Sequence, residues 1–143
     1  MIAVDTNILV YAHRADSPHH QAAVELVRGL ATGNRPWGLP WPCVHEFLAV
    51  TTHPRIYRPP SPAAVAIEAI TSLTTSPTVH LLSEAPDHLE RLGGLLSHSG
   101  VMGPRVHDAR IAAICLSHGV DALWSADRDF SWFPALKVVN PLV

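Results

Sequence analysis

Five short apolar runs separated by helix-length segments constrain this chain more than any other feature. They are Ile2-Ala3-Val4, Trp37-Gly38-Leu39-Pro40, Val79-His80-Leu81-Leu82, Asp121-Ala122-Leu123-Trp124-Ser125 and Lys137-Val138-Val139. Runs of this length without polar alternation suit strands covered on both faces. Strands that alternate with helical segments predict an α/β fold: a parallel sheet of about five strands, helices on both faces, in a Rossmann-like three-layer arrangement. The chain has 143 residues, enough for one domain spanning 1–143 that buries about two-thirds of its unfolded surface.

The helix boundaries follow from caps and breakers. Thr6 and Asn7 are placed to cap a helix starting at Ile8. A second helix is expected over 19–30, with Ser17 as N-cap and Pro18 at its first position. Helix resumes at Pro42. The stretch 52–60 carries Pro54, Pro59 and Pro60, which remove donors and clash with the preceding turn, so it reads as a loop bearing Arg55, Tyr57 and Arg58. Further helices are expected over 63–73, with Val65, Ile67, Ala69 and Ile70 as the apolar set, and over 86–98, with Leu89, Leu92, Leu95 and Leu96 inside. A last helix, 106–118, is stopped by Gly119.

Composition narrows the class. Hydrophobic residues make up 48% and charged residues 15%, which excludes a disordered chain and points to a surface partly covered by a partner. No apolar run approaches the roughly 20 residues of a membrane span, and no signal peptide is read, so a cytoplasmic location is expected. The formal charge of −2 supplies no global attraction for nucleic acid, so any such binding must be local or metal-assisted. Cys43 and Cys115 sit among apolar residues as buried thiols. The ten histidines are scattered, with no zinc-binding spacing.

The chemistry rests on acids. Asp5 ends the first strand, Glu46 lies early in the helix after the second, Asp108 sits in the first turn of the last helix, and Asp127 follows the fourth strand. In a parallel sheet these junctions fall on one edge, where ligands bind. Clustered carboxylates repel one another unless a cation is present, and oxygen-only donors suit Mg2+ or Mn2+. Such a site can clamp a phosphodiester and activate a water. Each acid also has a plainer role open to it: a cap for Asp5, a solvated helix position for Glu46, a dipole partner for Asp108, a turn for Asp127. His45 and His107 stand beside two of the acids and are open to a role as bases, but adjacent residues point to different faces of a helix, which favours packing or surface roles. A dinucleotide-binding reading fails for want of a glycine fingerprint after the first strand. An aspartyl-phosphate phosphatase reading lacks a second acid at position 7, which is Asn7.

Four segments in order resemble the PIN-domain ribonucleases of the VapC toxin type: Val4-Asp5-Thr6-Asn7-Ile8-Leu9, Pro42-Cys43-Val44-His45-Glu46-Phe47, Val106-His107-Asp108-Ala109-Arg110-Ile111-Ala112-Ala113 and Leu123-Trp124-Ser125-Ala126-Asp127-Arg128-Asp129-Phe130. The resemblance implies a PIN-like fold and a Mg2+- or Mn2+-dependent endoribonuclease of a type II toxin–antitoxin pair. It further implies a homodimer silenced by a cognate VapB-type antitoxin. Carried onto this chain, it makes Asp5, Glu46, Asp108 and Asp127 the catalytic acids. Asp5, Asp108 and Asp127 then hold metal, supported by Thr6, Asn7 and Ser125. Asp129 competes with Asp127 for the fourth acidic place and is otherwise a turn residue. RNA contacts are expected from Arg14, Arg55, Arg58, Arg105, Arg110 and Arg128, with Arg110 also able to pair with an acid of the cluster. Two rival readings stay open: a nuclease for structured DNA, and a metal-binding PIN-fold module without chemistry.

Overall fold

The computed structural model describes residues 1–143. Five strands form one sheet: β1 (Ile2–Val4), β2 (Trp37–Pro40), β3 (Val79–Leu82), β4 (Ala122–Trp124) and β5 (Val138–Val139). Their spatial order is β3-β2-β1-β4-β5, and every neighbouring pair is parallel. Six α-helices connect them: α1 (Thr6–His13), α2 (His20–Thr32), α3 (Trp41–Thr51), α4 (Ala63–Thr74), α5 (His88–Ser99) and α6 (Val106–Ser117). This is the α/β, PIN-like arrangement expected from the strand–helix alternation.

The strand order explains where a site can form. From β1 the chain steps outward to β2 and then β3, returns to β4 on the other side of β1, and ends at β5. Parallel crossovers are right-handed, so connections running in opposite directions put their helices on opposite faces. The contacts agree: α1 packs on α2 and α3, α3 packs on α4, and α5 packs on α6 as a separate pair. The order reverses between β1 and β4, which opens a crevice at their C-terminal ends. Asp5 follows β1 there and Ser125 follows β4.

The core is built from both strand and helix residues. Trp37, Phe47, Phe130, Phe133, Ile8, Leu9, Ile114 and Leu123 are all essentially inaccessible. Gly38 in β2 lies close to its neighbour: a Cβ there would stand 2.7 Å from Leu82 Cδ1 on the adjacent strand, so the Leu82 side chain would have to shift to admit one. No helix is long and apolar enough to cross a membrane.

Several local expectations need correction. The first helix begins at Thr6, with Asp5 in the N-cap position, so Thr6 and Asn7 are helical residues whose side chains are free for other work. Ser17 does not cap α2: His19 holds that place with φ 56°, and the Ser17 hydroxyl instead shares a 2.7 Å hydrogen bond with the Tyr57 hydroxyl. On α4 the inward positions are Ala66 and Ile70, while Val65 and Ile67 are exposed. On α5, Leu89 faces solvent, and Leu92, Leu95 and Leu96 are only partly covered.

Candidate metal centre

The four acids singled out in the sequence meet at the crevice between β1 and β4. Asp5, Glu46, Asp108 and Asp127 line one small cavity of about 250 Å³, together with Thr6, Asn7 and Tyr57 among others. Four separate elements deliver them. Asp5 is fixed by β1, Glu46 by α3, Asp108 by the first turn of α6, and Asp127 by the turn after β4.

Asp5 is the buried member, only 4% exposed. One carboxylate oxygen accepts from Ser125 Oγ at 2.6 Å, and the other from the Cys43 thiol at 3.5 Å. Burial nevertheless dominates and pushes its carboxyl up to about 6. Cys43 is a neutral donor, because burial pushes its thiol well above the usual range. No motif in the sequence marks Cys43 for this contact; it follows from the first turn of α3 lying against the end of β1.

Ser125 is a junction. Besides donating to Asp5, its oxygen accepts from Asn7 Nδ2 at 3.3 Å and from the Asp127 backbone N–H at 2.9 Å. The Asn7 side-chain Oδ1 accepts from the Ala126 backbone N–H at 3.2 Å. These bonds tie the start of α1 to the turn that carries Asp127. Thr6 Oγ1 donates to Glu46 Oε2 at 3.0 Å, which orients the one acid that projects from an exposed helix position. Thr6, Asn7 and Ser125 are thus hydrogen-bonded to the acids or to the turn that carries Asp127.

Asp127 and Asp129 divide the work of one turn. Asp127 accepts the Asp129 backbone N–H at 2.8 Å and so caps the short 3-10 segment at 128–132. Carboxylate oxygens of Asp108, Asp127 and Asp129 all lie within 4.8 Å of one another. Asp5 is outside this tightest group, and both its oxygens are engaged by Ser125 and Cys43. Asp129 is drawn partly outward by Arg105, at 3.8 Å.

Asp108 shows the electrostatic consequence. Burial, then the charges of Asp127, Asp129, Asp5 and Glu46, push its carboxyl up to about 6. An all-oxygen donor set that destabilises its own charge fits a hard divalent cation such as Mg2+ or Mn2+, and lacks the thiolate or imidazole donors that softer metals favour. A larger, more apolar cavity of about 590 Å³, between α5 and residues 132–135, contains none of these acids.

The arginines are less concentrated than the acids. Arg110 pairs with Glu84, its Nε 2.6 Å from Oε1, and not with an acid of the cluster. Arg14 is engaged by Asp16 at 2.7 Å and lies over the Tyr57 ring at 4.4 Å. Arg55, Arg58 and Arg128 are exposed and form no ion pair.

Comparison with known proteins identifies the family. The family model described as PIN domain matches residues 2–135. Ribonuclease VapC43 of Mycobacterium tuberculosis is 35% identical over 143 residues, covering 99% of this chain and 96% of the relative. Ribonuclease VapC31 of the same organism is 32% identical, with 99% of both chains covered. Among solved structures, VapBC-1 of nontypeable Haemophilus influenzae matches with a TM-score of 0.68 at 21% identity, over 100% of both chains. Mycobacterium tuberculosis VapC20, a sarcin-ricin loop cleaving toxin, matches with a TM-score of 0.67 at 20% identity, over 92% of this chain and 93% of that one. These two likenesses show that the fold is shared.

Proposed function

The chain belongs to the PIN-domain family, among the VapC ribonucleases, and on that premise we propose that it is a Mg2+- or Mn2+-dependent endoribonuclease acting as the toxin of a type II toxin–antitoxin pair. The observation that carries the reading is the convergence of Asp5, Glu46, Asp108 and Asp127 on one cavity at the sheet's switch point. We take residues 1–143 as a single domain located in the cytoplasm.

Asp108 and Asp127 would hold the cation, with Asp129 within reach and Asp5 completing the acidic wall from below. A divalent cation bound there supplies Lewis acidity toward a phosphodiester and lowers the pKa of a water. The chain's own residues do the rest. Ser125 and Cys43 hold the Asp5 carboxylate in one orientation. Thr6 fixes one oxygen of Glu46, leaving the other to orient the attacking water and accept its proton. Asn7 and Ser125 keep Asp127 in register with Asp108. Arg55, Arg58 and Arg128 are free to contact the RNA backbone.

A VapB-type antitoxin is the expected partner, in keeping with structures of this fold that contain toxin–antitoxin complexes. A homodimer is expected on the same family grounds. The test is cleavage of total RNA by purified protein, with Mg2+ and with EDTA, beside Asp5→Asn. Discrete fragments that require both the metal and Asp5 are expected. Full cleavage by a folded Asp5→Asn protein overturns the site assignment. Cleavage of structured DNA in place of RNA, or metal binding with no cleavage of either, would move the chain to one of the two rival readings.

A further inference from the structure

Trp41 is the first residue of α3 and directly follows β2, so it stands at the same sheet edge as Asp5. It is 38% exposed, although Trp37 four residues earlier is completely buried and fills the core. One helical turn on, the exposed His45 ring lies alongside the Trp41 indole, with centroids 6.2 Å apart and planes inclined by 29°. His45 and its neighbour Glu46 line a second cavity with His107, Asp108 and Arg110. This cavity shares Glu46 and Asp108 with the acidic one, so His45 borders the acids, and Trp41 stands one helical turn away outside both cavities.

We propose that the Trp41–His45 pair is a stacking platform for an unpaired base of the RNA substrate, seating a nucleotide beside the one that is cleaved. The proposal rests on the ribonuclease reading and adds a determinant of substrate position to it. Every base has a π-face, so stacking on aromatic side chains holds single-stranded RNA without reading its sequence. Such a contact would add to the chain's limited electrostatic attraction for RNA. Its formal charge is −2 and two of its site-proximal arginines, Arg110 and Arg105, are already paired with acids. Attraction of the RNA backbone is therefore left to Arg55, Arg58 and Arg128, and a base stack adds to it beside a wall of carboxylates. The cavity beside His45 is lined mainly by polar and ionisable groups, which suits a nucleotide better than the apolar side chains of a protein ligand.

The test uses the full chain carrying Asp5→Asn, in Mg2+, with a fluorescein-labelled random-sequence 20-nucleotide RNA read by anisotropy. Adding Trp41→Ala is expected to weaken binding by about fivefold or more, the range of a lost base stack, while Trp41→Phe stays within about twofold. Thermal melting should be unchanged in both, because Trp41 lies outside the core. RNA binding unaffected by Trp41→Ala overturns the platform and leaves the ribonuclease reading standing. A change of mass on gel filtration without a change in RNA affinity makes Trp41 a protein contact and also overturns it. If the unaltered protein neither cleaves nor binds RNA, the ribonuclease reading fails and takes the platform with it.

Discussion

Ser125 Oγ donates to Asp5 Oδ2 at 2.6 Å across 120 residues of sequence, joining the ends of two adjacent parallel strands. The same oxygen receives Asn7 Nδ2 and the Asp127 N–H, so three parts of the site converge on one hydroxyl. Ser125→Ala removes all three bonds without changing the fold's volume much. Groups that orient ligands in this way typically account for about 10–100-fold in activity or metal affinity. RNA cleavage by Ser125→Ala is expected to fall by that factor, with a raised Mg2+ requirement. Initial rates across a Mg2+ titration check it; wild-type rates at every concentration would refute the role.

Asp127 and Asp129 are separable in the same assay. Both come within 4.8 Å of Asp108, but Asp127 alone shares the cavity with Asp5 and Glu46. Asp129 faces Arg105 instead. Asp127→Asn is expected to cost roughly 100-fold in cleavage rate and Asp129→Asn about tenfold, in line with a direct and a peripheral ligand role. Equal losses would mean that both acids serve the cation directly, and the reverse order would exchange their roles.

The sequence carried the strands and the acids well, for a physical reason. A strand buried on both faces must be continuously apolar, and a carboxylate at its C-terminal tip has few structural uses, so Ile2-Ala3-Val4-Asp5 and Leu123-Trp124-Ser125-Ala126-Asp127 announce themselves. Helix faces were less legible. α4 is apolar on nearly every side (Val65, Ala66, Ile67, Ala69, Ile70), so periodicity could not say that Ala66 and Ile70 turn inward. α5 carries Leu89 into solvent at 80% exposure, which no local rule forbids. Contacts across the chain were invisible altogether. The Cys43 thiol on Asp5 and the Glu84 partner of Arg110 depend on how elements dock, and spacing along the chain does not encode that.

Gly38 is a test of the sheet and not of the chemistry. A Cβ at this position meets Leu82 Cδ1 at 2.7 Å and Cγ at 3.4 Å, with Ala3 Cβ at 3.5 Å on the other side. Leu82 is itself buried, so it can yield only by disturbing packed neighbours. Overpacking of this kind costs about 1–3 kcal/mol. Gly38→Ala should lower the denaturation midpoint accordingly and leave metal-dependent cleavage per folded molecule intact. A midpoint equal to the parent's would show that β2 and β3 are more loosely apposed than their geometry indicates.

Burial sets the pH behaviour of the metal-free protein. The Asp5 carboxyl is held at about 6 in the fold against an ordinary 3.8, and Asp108 likewise. Between those values the folded chain keeps protons that the unfolded chain has released. The stability these two groups contribute is therefore fully present below about pH 4 and is lost as pH rises through about 6. Asp5→Asn removes one of the two titrations and relieves the other, because the Asp5 charge is among those that raise Asp108, so both changes favour the variant as pH rises. In EDTA, urea midpoints should show the variant gaining on the parent as pH climbs from 4 to 7.5. Millimolar Mg2+ should then restore the parent above pH 6, because bound cation takes the place of the proton, and should help the variant less. A difference between the two proteins that stays constant across this range would show that Asp5 carries its charge in the fold as easily as in the unfolded chain.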